Sequence, residues 1–300
     1  MLIKNELFSV AVDAAKGTFN VQSLPSLKEF IPAGKLSGTN GTGRIITVAD
    51  KILGRGKAIE VRYANGNSDR LTLLPGVPFV LLRTTLHNGG TNVVEHRTIR
   101  PFAATIDLGT PVAELRALGT GGLAAPEGNP GSYAWLAIAD PKTRNGVVAG
   151  WLTHDRGSGV VFSKVVKKQV RIDAQIDYGR LRIAPAKDAQ AETFAIGYFD
   201  DARLGMEAWA DAVAKVYSIK LRPQPVGYCT WYHAQASNEK DLAAATKFAA
   251  EKLAPFGFSL MQIDDGWQLG TGGGNGPKKV FTGHDPKGPY PGGMKATADA

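Results

Sequence analysis

The feature that most constrains this chain is a change of hydrophobic period near residue 203. From about residue 5 to 200 apolar side chains recur at every second position. Ile59, Val61 and Tyr63 alternate with Glu60 and Arg62, and Asn65-Gly66 gives a turn signal before Leu71 and Leu73. A period of two sends alternate side chains to opposite faces of a pleated strand, so this stretch reads as a half-buried antiparallel pair. The pattern returns at Val170, Ile172 and Ile176 against Arg171, Asp173 and Asp177, with a Gly179 turn into Leu181 and Ile183, and again at Phe194, Ile196 and Tyr198. Unbroken apolar stretches at 79–82, 133–138 and 147–152 read as strands covered on both faces. Ten or more short strands predict a large β-sandwich. The 36 glycines and 17 prolines punctuate turns; low-complexity sequence would need roughly 25–30% of the two together.

Beyond the switch the spacing is helical. Leu204, Ala208, Ala212 and Val216 mark one face of a helix over 204–217, which Pro223 and Pro225 end. The domain boundary is placed there, giving 1–222 and 223–300. A strand over 226–231 follows, then Asn238 as a cap for a helix through Leu242, Ala245, Ala249 and Leu253, then a strand over 258–263. Strand, helix and strand in so short a span form a βαβ unit, whose strands run parallel. A closed (β/α)8 barrel takes roughly 250 residues, so residues 223–300 are expected to be the start of a longer α/β domain, with Met294–Ala300 opening a further helix.

Charge and composition remove several function classes. Lys and Arg exceed Asp and Glu by 8, but the cations are scattered and only 21% of residues are charged. A nucleic-acid surface needs a concentrated basic stripe, so none is expected. No apolar run approaches the roughly 18–20 residues of a membrane span, and the first residues lack the apolar region of a signal peptide. The compartment stays open between cytoplasm and an exported location reached after removal of a leader. Cys229 is the single cysteine, which excludes an intrachain disulfide and any multi-cysteine metal centre.

Parallel strands of α/β folds present ligand residues at their carboxyl ends. Trp231-Tyr232-His233 and Asp264-Asp265-Gly266-Trp267 should therefore lie side by side. Carboxylates accept charge-assisted hydrogen bonds from vicinal hydroxyls, and indoles stack on the apolar face of a sugar ring. An Asp-Asp-Gly triplet taken alone also suits a plain turn or, with water and phosphate, a divalent metal, and either tryptophan alone could be a core residue. Their conjunction in one βαβ unit favours a sugar. The glycine-rich stretch 270–276 lacks the Gly-Lys-Ser/Thr of a phosphate loop and reads as a flexible βα loop. Lys278, Lys279, His284 and Asp285 follow it, and a solvated connection is the favoured reading. His87, His96 and His154 fall at unrelated spacings, and no metal site is expected.

Gly227-Tyr228-Cys229-Thr230-Trp231, followed about thirty residues later by Met261-Gln262-Ile263-Asp264-Asp265-Gly266-Trp267-Gln268, resembles the first two barrel strands of glycoside hydrolase family 36, the α-galactosidases and the raffinose synthases grouped with them. The resemblance implies an N-terminal β-supersandwich followed by the first strands of an incomplete (β/α)8 barrel. It implies that Asp264 and Asp265 bind hydroxyls around C4 and C6 of a terminal galactose, with Trp231 as pocket wall and Trp267 beside the carboxylates. Tyr228 stands where the family usually has Trp, and Tyr232-His233 replaces the usual Asp after the second Trp, which leaves the sugar preference open. Cys229 fits the family's small residue at that place and reads as a buried strand side chain.

Retaining hydrolysis places two carboxyl groups roughly 5–5.5 Å apart across the scissile bond. Neighbours on one strand end, such as Asp264 and Asp265, cannot straddle a bond, and the resemblance places both catalytic aspartates on later strands, beyond Ala300. The chain alone is expected to show no glycosidase turnover. Galactosyl transfer of the raffinose synthase type and non-catalytic carbohydrate binding are the alternatives. No cofactor is implied, the partner is an α-galactoside oligosaccharide, and homo-oligomerisation stays open.

Overall fold

The alternation of residues 54–73 folds as a hairpin in the computed structural model, which describes residues 1–129, 131–232, 238–269 and 283–300. Strand Gly54–Arg62 pairs antiparallel with Ser68–Leu73, and Gly66 turns between them at a positive φ of 85°. The chain divides into two compact units, Met1–Lys220 and Leu221–Ala300.

The first unit is built from two antiparallel sheets. One has eight strands in the order Leu2–Lys4, Phe8–Asp13, Thr18–Ser23, Glu29–Lys35, Val94–Ile106, Gln169–Ile183, Ser158–Val166 and Ser132–Tyr133. The other has ten, with Gly146–Trp151, Phe194–Phe199 and Val80–Asn88 adjacent near its middle. The inward rows of both sheets, among them Phe30, Ile31, Ile59, Leu71, Trp151 and Ile172, form one core. A second apolar layer lies on the other face of the ten-stranded sheet, where helix Ala202–Tyr217 sets Met206, Trp209, Val213 and Val216 against Phe79, Leu81, Val148 and Ala195. That double cover explains why every residue of Gly146–Trp151 is buried.

Four details depart from the sequence expectations. Residues 133–138 do not form one strand: Ala134 adopts a φ of 64°, Ser132–Tyr133 joins the eight-stranded sheet, and Trp135–Ala139 joins the ten-stranded one. Gly179 does not close a hairpin. Gln169–Ile183 is one long strand, and Gly179 (φ 66°) lies within a register shift between Asp177 and Leu181, where extra residues are absorbed as a bulge. The helix at the end of the unit packs Ala208, Ala212 and Val216 as expected, but Leu204 is 60% exposed, and Ala202 and Gly205 are buried in its first turns. Gly205 decides this, because a Cβ there would lie 2.5 Å from the Phe199 ring; the missing side chain lets the helix descend onto the sheet.

The fourth departure is Glu60, expected to face solvent and found 3% exposed. Its carboxylate accepts from Arg44 (2.6 Å), Arg62 (3.0 Å) and Arg70 (2.9 Å). Burial raises its pKa, but the hydrogen bonds from the three guanidiniums outweigh this and hold it at about 2, below the ordinary 4.5. A depressed folded pKa supplies stability above the unfolded value and loses it as pH falls towards the folded one. Glu60→Gln is therefore expected to cost about 1–3 kcal/mol at pH 7, the arginines being partly solvated. The deficit should shrink as pH falls from 4.5 to about 2, as read from urea midpoints across that range.

In the second unit, strand Val226–Cys229 runs parallel to Phe258–Gln262. Helix Glu239–Lys252 connects them, with the Asn238 side chain accepting from the Asp241 N–H at 2.9 Å and Leu242 and Ala249 buried. The first strand ends at Cys229, earlier than expected, and Thr230–Tyr232 form a single 3-10 turn. The second ends at Gln262, and a last helix spans Gly293–Asp299.

Candidate functional site

The register pairs Cys229 with Gln262 as the last residues of the two parallel strands. Thr230-Trp231 and Asp264-Asp265 thus leave the sheet at the same end, the carboxyl ends of both strands. Thr230 is buried, and its Oγ1 accepts from the Asp264 N–H at 2.9 Å, stitching the two exits together. Cys229 Sγ donates to Asp264 Oδ2 at 3.3 Å, Gln262 Nε2 donates to the same oxygen at 3.5 Å, and the Asp265 N–H donates to Asp264 Oδ1 at 2.6 Å. Asp264 is half-buried, and this web of donors fixes its carboxylate. A carboxylate offers about four lone-pair sites, and the described residues fill three of them.

Asp265 is exposed at the same strand end. Gly266 follows with a φ of 109°, a conformation that favours glycine, and its N–H donates to Oε1 of the buried Gln268 at 2.9 Å. This turn sets the half-buried Trp267, whose carbonyl accepts from the Asp285 N–H at 3.0 Å. Gln268 and His284 form an antiparallel bridge, and His284 Nε2 lies 3.1 Å from the Pro291 carbonyl. His284 and Asp285 thereby brace the acidic turn. Trp231 is 53% exposed, an indole face open to solvent at the end of the first strand. His233, the glycine-rich stretch 270–276, Lys278 and Lys279 lie outside the described residues.

The structure therefore brings Asp264 and Asp265 together on one turn, and the register sets Trp231 at the same sheet edge. It also adds residues that the sequence pattern missed. Thr230, Gln262 and Gln268 order the acidic turn, and Cys229 serves as a donor to Asp264. No periodicity marks them, because strands of four and five residues are too short to show which side chain faces a neighbouring loop.

No protein-family model matches this chain, and neither does any curated protein. Among solved structures it is similar to a glycoside hydrolase family 97 enzyme from Pseudoalteromonas sp. strain K8, in complex with acarbose, at TM-score 0.52 and 10% identity over 89% of this chain and 47% of that one. It is also similar to a family 36 alpha-galactosidase from Geobacillus stearothermophilus, at TM-score 0.49 and 15% identity over 94% of this chain and 44% of that one. A third neighbour is the alpha-galactosidase from Lactobacillus brevis, at TM-score 0.48 and 15% identity over 76% of this chain and 35% of that one. The chain spans about a third to a half of the length of these three. At such identities the likeness is one of fold alone, an antiparallel β-sandwich.

Proposed function

We propose that this chain forms the β-sandwich and the first barrel strands of a retaining glycoside hydrolase acting on terminal α-linked galactose. In this reading residues 1–222 are the sandwich with its closing helix, residues 223–300 open a (β/α)8 barrel, and the nucleophile and acid/base belong to strands beyond Ala300. The observation that carries it is the parallel pair whose two carboxyl ends deliver an exposed indole, Trp231, and the paired acids Asp264 and Asp265. A pyranose offers such an edge an apolar face for the indole and vicinal hydroxyls as donors to carboxylates. Asp264, fixed by Cys229 and Gln262, orients the turn and keeps one lone pair for a hydroxyl, Asp265 accepts from a second, and Trp267 flanks them. Both carboxylates accept donors in the ground state and neither transfers a proton, which suits binding rather than bond cleavage.

The experiment is titration of the full chain with galactose, followed by NMR of the indole N–H groups. Asp265→Ala is expected to weaken binding by about tenfold or more, the value of one charge-assisted hydrogen bond, and Trp231→Ala to do the same. Unchanged affinity in both variants, with folding intact by circular dichroism, would move the ligand away from this edge. The chain alone is expected to leave an aryl α-galactoside unhydrolysed, and saturable turnover would overturn the placement of the catalytic acids.

A further inference from the structure

On the sandwich unit, strands Ser68–Leu73 and Val80–Asn88 place Arg70 directly opposite Arg83 in register. Like charges facing each other across a strand pair repel. Arg70 gives one guanidinium nitrogen to Glu60, yet its Nε is buried with no partner among the described residues. Arg83 bonds only neutral groups among the described residues: its Nε donates to Thr193 Oγ1 at 2.8 Å, a second nitrogen reaches the same oxygen, and a third donates to Gln190 Oε1 at 3.3 Å. Burial lowers its pKa, so its charge is held against a desolvation cost. Both arginines line a cavity of about 170 Å³ that also holds Thr72 and is walled by Leu53, Leu81 and Val216. The one acid on its wall, Asp50, already accepts the Ile52 and Leu53 N–H groups at 2.9 and 2.8 Å on one oxygen.

Waters alone could fill such a volume, at about 30 Å³ each; Glu60 pairs with Arg70, and the charges of Asp50, Glu192 and Asp155 offset the effect of Arg70 on Arg83. An anion in the cavity adds a counter-charge beside both guanidiniums, and a guanidinium matches a carboxylate in shape. The apolar wall suits a hydrocarbon body behind that head. We infer that the cavity between Arg70 and Arg83 is a binding site for a small organic carboxylate with an apolar body. The inference stands apart from the carbohydrate reading, since it uses no residue of the second unit.

The test uses the full chain with butyrate as probe and 1-butanol as the uncharged control of the same size. Butyrate is expected to shift the Arg70 Nε–H resonance saturably in 15N-arginine NMR and to raise the melting temperature along a binding isotherm, whereas butanol does neither. Arg83→Met is expected to weaken butyrate by about tenfold or more. Arg62→Met, which loses a Glu60 contact without lining the cavity, is expected to bind as the parent does. An absent or unsaturable shift, an equal response to butanol, or an undiminished response in Arg83→Met would overturn the site. Should Arg83→Met fail to fold, the parent's NMR titration decides between butyrate and butanol.

Discussion

Trp151→Ala is expected to lower the unfolding free energy by about 3–5 kcal/mol, the range for deleting a buried large aromatic. Trp151 is fully buried in the ten-stranded sheet, opposite Phe194, whose ring meets it edge-on at 5.0 Å. Its indole also reaches the other sheet, with Nε1 donating to the Val160 carbonyl at 3.3 Å. A Cβ on Gly159 would lie 2.3 Å from the indole Cδ1, so the ring rests directly on the backbone of the eight-stranded sheet. One side chain thus joins both layers, and the cavity left by alanine cannot close without moving a sheet. Equilibrium urea unfolding followed by far-ultraviolet circular dichroism checks this, with a lower midpoint at unchanged slope as the expected result. The converse variant, Gly159→Ala, overpacks the same contact and should cost about 1–3 kcal/mol. A loss below about 1 kcal/mol for Trp151→Ala, far short of the buried-aromatic range, would mean that the sheets are held together elsewhere.

The sandwich was legible where one face is wet and one is dry, because the alternation then reports the pleat directly. It failed at Gly179 and at Ala134 for a shared reason. A backbone kink at positive φ can close a hairpin, absorb a bulge or pass a strand between sheets, and which of these follows depends on partners distant in sequence. The helix face was misread at Leu204 because a glycine, silent in any hydrophobic pattern, governs the closest approach to the sheet. In the second unit the parallel pairing and the Asn238 cap were legible from turn chemistry and spacing, whereas the first strand stops two residues short of its expected end. The division of labour between Asp264 and Asp265 was not, since it arises from Cys229, Thr230 and Gln262, which meet the acidic turn only once the strands pair.

Asp69→Ala is the second large effect, and its pH dependence runs opposite to that of Glu60. Asp69 is fully buried, and four donors converge on it: the Ser37 N–H at 2.7 Å, the Ser37 hydroxyl at 2.8 Å, the Tyr63 hydroxyl at 2.7 Å and the Thr84 hydroxyl. Burial raises its pKa above the ordinary 3.8 despite those hydrogen bonds. A raised folded pKa means that the folded state binds the proton more tightly, so the contribution of Asp69 is greatest below 3.8 and declines as pH rises through the folded value. At pH 7 alanine would strand the donors around an empty acceptor, an expected loss of about 3–5 kcal/mol, as for removing one member of a buried charged network. Asp69→Asn keeps one acceptor oxygen and should lose about 1–3 kcal/mol. Tyr63, whose pKa is raised by its burial and then by the Asp69 charge, gives an independent readout: its phenol should ionise at lower pH in Asp69→Asn, followed by ultraviolet absorbance. A Tyr63 titration unmoved by that substitution would show that the carboxylate does not carry its charge against the phenol, and the network would then be held by Ser37 and Thr84 alone.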